Sequence, residues 1–382
     1  MKKGLICEKS NTPGMGALYI NYDGAANIEE IGERGLSHLA EHLLCKHYDD
    51  LQEELMAAGI VSNAMTTDKN VVFYWVGLND KIEEFQDRLL GLINYLPTKD
   101  QFDIEKSIVM QEYQDYISQQ QFVFGNIQRK YFDYFGPIGY RDDITGCTYE
   151  GILKFINKNM SKPNQIIRIG KSKTIKKLCK GIKYEKPVTP KDYKQKTEVN
   201  DLLVESPSSF NGSGVVADWI TLNTSEFDYR DILVYNSMFS RGLSSPLYKE
   251  IREKRGLVYY VGLDSEKISN SSMIWTLYGG CVDSNLEEVR FTFKECITNY
   301  AAYITPERFK STIECFRNKH IMMDISNTSY GYVRKFMIED NSDITLDYLN
   351  GLTYEYMLGV CAKMAIAVLG MNKAYISKEI NI

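Results

Sequence analysis

Gly35-Leu-Ser-His38-Leu-Ala-Glu41-His42-Leu-Leu-Cys45 is the stretch on which the reading of this chain turns. Leu36, Leu39, Leu43 and Leu44 recur at helical spacing, so the segment reads as an amphipathic helix whose packing stripe is supplied by leucine. The histidines are not needed for that packing. Residues four apart on a helix stand one turn above each other. His38 and His42 can therefore present two imidazole nitrogens to one ion at the ~2.0–2.1 Å that zinc prefers. Glu41 shares their face, and its carboxylate can act as a general base without ligating the ion. With four histidines in 382 residues, about 0.003 chance matches to HxxEH are expected. Chance is a poor explanation.

A catalytic zinc site takes three protein ligands and leaves a position open. Glu105-Lys-Ser-Ile-Val-Met-Gln-Glu112 offers two carboxylates seven apart, two turns along a helix. Ile108 and Val109 draw that face partly inside, where a carboxylate without a partner is costly and a nearby cation resolves the cost. A solvated charged face is the commoner meaning of such a run. Spacing alone does not choose between the two.

Working outward, 44% hydrophobic and 25% charged residues describe a globular protein. A net charge of -5 with Lys and Arg spread along the chain argues against nucleic acid as a partner. Eight cysteines, with no CxxC pair, exclude a cysteine zinc site and a disulfide scaffold. The first residues lack the apolar run of a secretory signal. The longest apolar stretch, around residues 364–369, is far below the ~20 a membrane span requires. The expectation is a cytoplasmic protein without a membrane partner.

The length calls for two domains. Strand-like residues 16–22, the helix at 35–45, a helix at 51–58, a strand at 71–76 and helices at 81–95 and 101–120 make up the first half. A Lys- and Pro-rich run opening at residue 183 has linker composition. The second half repeats the order: strand 215–222, helices 227–239 and 247–253, strands 259–263 and 273–278, helices 285–303 and 306–324. The fold class is α+β, with two similar domains related by internal duplication, each a mainly antiparallel sheet packed with helices. The boundaries read as 1–185 for the zinc-binding domain, 186–204 for the linker and 205–382 for a substrate-binding and dimerisation domain.

At this point the sequence resembles the pitrilysin/insulinase family of zinc peptidases over nearly its whole length. The family's HxxEH helix matches His38-Leu-Ala-Glu41-His42, and its third ligand, some seventy residues on, falls on Glu112. Glu105 takes the family's supporting position. Asn63-Ala64-Met65-Thr66 resembles the strand that pairs with substrate, although Met65 departs from the usual aromatic. Arg252 and Tyr259, within Leu247-Tyr-Lys-Glu-Ile-Arg-Glu-Lys-Arg-Gly256 and the residues after it, match a pair that holds the scissile carbonyl region. Read without the family, both are ordinary surface residues.

The resemblance implies a zinc endopeptidase for short or unfolded peptides, one Zn2+ per chain, with Glu41 as general base. It also implies a half-shell that works as a homodimer, or as a heterodimer with a related subunit. The alternative is a non-catalytic or partner-dependent subunit of a processing peptidase.

Overall fold

Leu18, Ile20 and Tyr22 alternate along one strand with Ala17 and Tyr19, and the two sets enter different buried clusters on the two faces of a sheet. That period of two is what a sheet buried on both sides demands. The computed structural model describes residues 4–117, 122–188, 191, 202–205, 214–269, 271–325 and 344–377.

The chain divides into two compact units. The first holds strands β1 (Gly4–Glu8), β2 (Met15–Asp23), β3 (Val61–Thr66), β4 (Asn70–Leu78) and β5 (Gln165–Ile169) in the order β1-β5-β2-β4-β3. Only the β1–β5 pair is parallel. Its helices include α1 (Leu36–Cys45), α2 (Gln52–Ala57), α3 (Asn79–Leu90) and α4 (Lys99–Ile117). Leu39 and Leu43 of α1, Ile82 and Leu89 of α3 and Val109 of α4 meet Leu18, Phe73 and Trp75 of the sheet in one core.

The second unit contains α5 (Phe122–Phe132) and the strands β6 (Leu202–Glu205), β7 (Val215–Asn223), β8 (Val261–Lys267), β9 (Ser272–Gly280) and β10 (Ala374–Ser377). Their order is β6-β10-β7-β9-β8, with β6–β10 parallel and the other pairs antiparallel. The two sheets thus share one plan strand for strand, as the duplication read from sequence requires.

The expected boundaries differ from this arrangement at several places; residues 321–325, for one, expected in the second domain, group with the first unit. Residues Asp115–Tyr134 group with the second unit, because Ile127, Tyr131 and Phe132 pack on Val215, Ala217 and Trp219. Residues 202–204, expected in the linker, belong to β6 and are paired with β10. The helix expected over 81–95 gives way at Leu90 to a 3-10 turn, Gly91–Asn94. The tip of the helix expected over 101–120 lies outside the described residues. No described helix is long and apolar enough to cross a membrane.

Candidate metal centre

The residue before α1 is Gly35, with φ 96° and the backbone of Gly139 against it, so a side chain is excluded at the usual capping position. Glu29, buried in the preceding loop, caps the helix in its place. It accepts N–H groups from Gly35 (2.8 Å) and Ser37 (2.7 Å). Asp143 fastens the same loop by accepting from Gly32 N–H and from the backbone and guanidinium of Arg34.

One turn into α1 the two imidazoles meet, their ring centroids 4.8 Å apart and their planes nearly perpendicular. Glu112 approaches from α4, its Oε2 3.4 Å from His38 Nε2 and 3.6 Å from His42 Nε2. Two donors bound tetrahedrally at the ~2.0–2.1 Å typical of zinc stand about 3.4 Å apart. The donor atoms of all three residues lie within 4.8 Å of one another, the one such group among the described residues. Nitrogen, nitrogen and carboxylate oxygen at these spacings suit Zn2+, and Glu112, half-exposed, leaves a side open to solvent.

His42 is oriented from behind. Its Nδ1 lies 3.0 Å from Glu105 Oε2, leaving Nε2 to face Glu112. Glu105 is almost fully buried, and its other oxygen pairs with Lys46 Nζ at 2.8 Å. His38 has no such support, its Nδ1 being buried with no hydrogen-bond partner among the described residues. Burial, with His42 beside it, pushes His38 down to about 4, so its imidazole is neutral at pH 7 and its lone pair is available.

Glu41 stands outside the ligand group. It is buried, and Thr66 of β3 donates its hydroxyl to Glu41 Oε2 at 2.6 Å. Burial raises its carboxyl above the usual range, against the opposing pull of that hydroxyl. A carboxylate of raised basicity, held in one rotamer, is what a proton acceptor requires. Cys45 is not among the converging donors, and burial pushes its thiol up to about 12.

β3 is the edge of the first sheet, paired with β4 alone among the described strands. Asn63 and Thr66 are already engaged within the chain, Asn63 Oδ1 by the Ala64 N–H. What β3 offers to another chain is its backbone edge, with Ala64 and Met65 half-buried between. His47, the third clustered histidine, bonds the Arg88 carbonyl through Nε2 and packs on Tyr95. Arg252 and Tyr259 lie in the second unit, the guanidinium carbon 5.1 Å from the Tyr259 ring and 4.8 Å from that of Tyr248.

The sequence reading missed Lys46, Glu29 and the Thr66 hydroxyl. Lys46, four residues after His42, carried the only local signal: a cation one turn on from a ligand, available to a carboxylate behind it.

Two predictions arise here. K46M leaves Glu105 buried without its cation, a change worth up to about 3 kcal/mol when a buried pair is broken. We expect a lower Tm in the metal-free protein and zinc binding about 10–100-fold weaker, with K46R retaining most of both. Unchanged zinc affinity in K46M would remove Lys46 from the support of His42. The second concerns Glu29, which burial pushes up to about 7 although two N–H donors favour its charge. Between pH ~4.5 and ~7 the folded chain then holds a proton that the unfolded chain has released, so this group makes stability fall as pH rises through that window. The effect amounts to roughly 3 kcal/mol at most. Urea unfolding of E29Q across pH 4.5–8 should lack that component; identical slopes in the two proteins would refute it.

The insulinase family model (peptidase family M16) matches residues 18–135, and the model described as the peptidase M16 inactive domain matches 147–314, together well over half of the chain. An uncharacterized zinc protease of Rickettsia felis is 22% identical over 333 residues, covering 80% of this chain and 78% of that protein. Zinc protease PqqE of Helicobacter pylori is 22% identical over 302 residues, 71% of this chain and 66% of that one. Among solved structures, a protease from Helicobacter pylori superposes with a TM-score of 0.80 at 17% identity, covering 99% of this chain and 98% of the other. The periplasmic protease PqqL of Escherichia coli gives 0.69 at 13% identity, covering 98% of this chain and 46% of its own. At these identities the structures speak for the fold. With two family models laid end to end over most of the chain, and the HxxEH helix inside the first, the chain belongs to the insulinase family, peptidase family M16.

Proposed function

We propose that this chain is a zinc-dependent endopeptidase that hydrolyses short or unfolded peptides. The observation that carries the reading is the convergence of His38, His42 and Glu112, with Glu41 held beside them by Thr66 and left out of the ligand group. His38, His42 and Glu112 would hold the cation. When bound, zinc supplies Lewis-acid polarisation of a carbonyl and lowers the pKa of a coordinated water towards 7. Glu41 takes a proton from the attacking water and delivers it to the leaving amine. An extended peptide adds to the open edge of β3 through backbone hydrogen bonds. Arg252 and Tyr259 are suitable donors to a carbonyl that is becoming an oxyanion.

The protomer is half of what this chemistry needs, and we propose that two copies, or one copy and a related subunit, complete it. The 46% coverage of PqqL by a chain that is itself covered almost entirely supports this. In such a dimer, Arg252 and Tyr259 of one protomer serve the metal centre of its partner. Inactive R252A and E41Q chains, mixed under conditions where subunits exchange, should then regain activity at one composite site. Absence of recovery, with exchange demonstrated by mass, would dismiss the shared site.

The reading as a whole is tested by zinc content together with cleavage of a quenched peptide library. We expect one zinc per chain and cleavage abolished by a chelator. Zinc-loaded protein that binds peptides without cutting them would instead assign the chain to a non-catalytic subunit.

A further inference from the structure

We propose that Glu29 is a positioning residue for His38: by capping α1 from the preceding loop it fixes where the first metal ligand stands. The inference rests on the zinc reading above and extends it to a residue outside the HxxEH motif.

Three observations carry it. The first is location. His38 is the third residue of α1, inside its first turn, where a helix frays when its leading N–H groups lack acceptors. The second is that α1 has no cap of its own, because Gly35 stands at that position with the Gly139 backbone against it. A Cβ on Gly139 would lie 2.3 Å from the Gly35 Cα, so this contact holds only between glycines. Both carboxylate oxygens of Glu29 fill the gap, one on the Gly35 N–H and the other on the Ser37 N–H. The third is the asymmetry between the two histidines. His42 is aimed by Glu105, whereas His38 Nδ1 meets no partner among the described residues. A ligating histidine is ordinarily oriented by a bond to its other ring nitrogen. With none among the described residues, His38 takes its position from its backbone, and its backbone takes its position from Glu29.

The loop is built to keep Glu29 still. Its carbonyl accepts a bond from Lys191 Nζ, and its backbone N–H bonds to Ala26 O. Metal–ligand distances tolerate only about 0.2 Å, whereas one residue of helix spans about 1.5 Å. Slight loosening of the first turn is therefore enough to withdraw His38.

The test compares wild type, E29Q and E29D at pH 8, where the carboxylate is ionised. Zinc affinity is read by competition with a chromophoric chelator, coordination by the visible spectrum of the Co2+-substituted protein, and folding by circular dichroism and thermal unfolding. E29Q keeps the size of the side chain but has one acceptor oxygen for two N–H groups. E29D has both oxygens on a shorter arm and serves if E29Q folds poorly. We expect zinc binding about 10–100-fold weaker and Co2+ bands altered in position and intensity. L277A, in the core of the second unit, is the control, expected to lower Tm while leaving zinc affinity as in wild type. Folded E29Q and E29D with zinc affinity within twofold of wild type would overturn the positioning role alone. Wild type that binds no zinc would overturn the zinc reading beneath it.

Discussion

E41Q is expected to retain a full complement of zinc and to lose turnover by at least the ~10²–10⁴ assigned to general acid–base catalysis. The separation of the two readouts follows from geometry. Glu41 is not among the three converging donors, and its Oε2 is occupied by the Thr66 hydroxyl. A glutamine there still accepts that hydroxyl through its amide oxygen, so shape and metal are preserved while the proton acceptor is gone. The loss should appear in kcat, because the proposed binding of peptide along β3 uses its backbone edge and does not call on the Glu41 carboxylate. Zinc content by metal analysis and initial rates on a quenched peptide decide the matter. An E41Q protein with near-wild-type kcat would strip Glu41 of its role.

The second large effect is expected on metal binding. E112Q replaces a charged oxygen donor with a neutral amide and leaves two imidazoles to hold the proposed dication. Losing an outer-shell partner typically weakens zinc binding 10–100-fold; loss of a direct ligand should exceed that. Glu112 is half-exposed and on the open side of the centre, so its fold contribution is small and Tm of the metal-free protein should hardly move. Equilibrium dialysis against buffered zinc provides the measurement. Retention of tight, stoichiometric zinc by E112Q would place the third ligand elsewhere.

How much of this could be read from residue order depends on distance along the chain. Helix α1 was legible because its leucine stripe and its two histidines sit within ten residues, so one periodicity carries both packing and candidate chemistry. Glu112 was not legible by itself. An acid on a charged helix looks the same whether it faces solvent or a metal, and here the family resemblance chose. The placement of α5 was out of reach for a related reason. Ile127, Tyr131 and Phe132 declare an apolar face, but nothing local states which of two cores receives it. The short strands β1, β6 and β10 have four or five residues each and lean on partners far away in sequence, so no run of alternation marks them. Lys46 and Glu29 went unread, since burial of a charge depends on a partner that only the fold supplies.

The matching plans of the two sheets hide a difference in timing. All five strands of the first sheet have been made once residue 169 has left the ribosome, including β5, which joins β1 to β2. In the second sheet the joining strand is β10, at Ala374–Ser377, so β6 and β7 must wait for it. The second sheet is therefore completed roughly 200 residues after the first, or roughly 10–40 s later at ~5–20 residues per second. During translation the sheet of the first unit can assemble while its counterpart is still an open set of strands. A nascent chain arrested before β10 should accordingly expose the unpaired edges of β6 and β7 to chaperones.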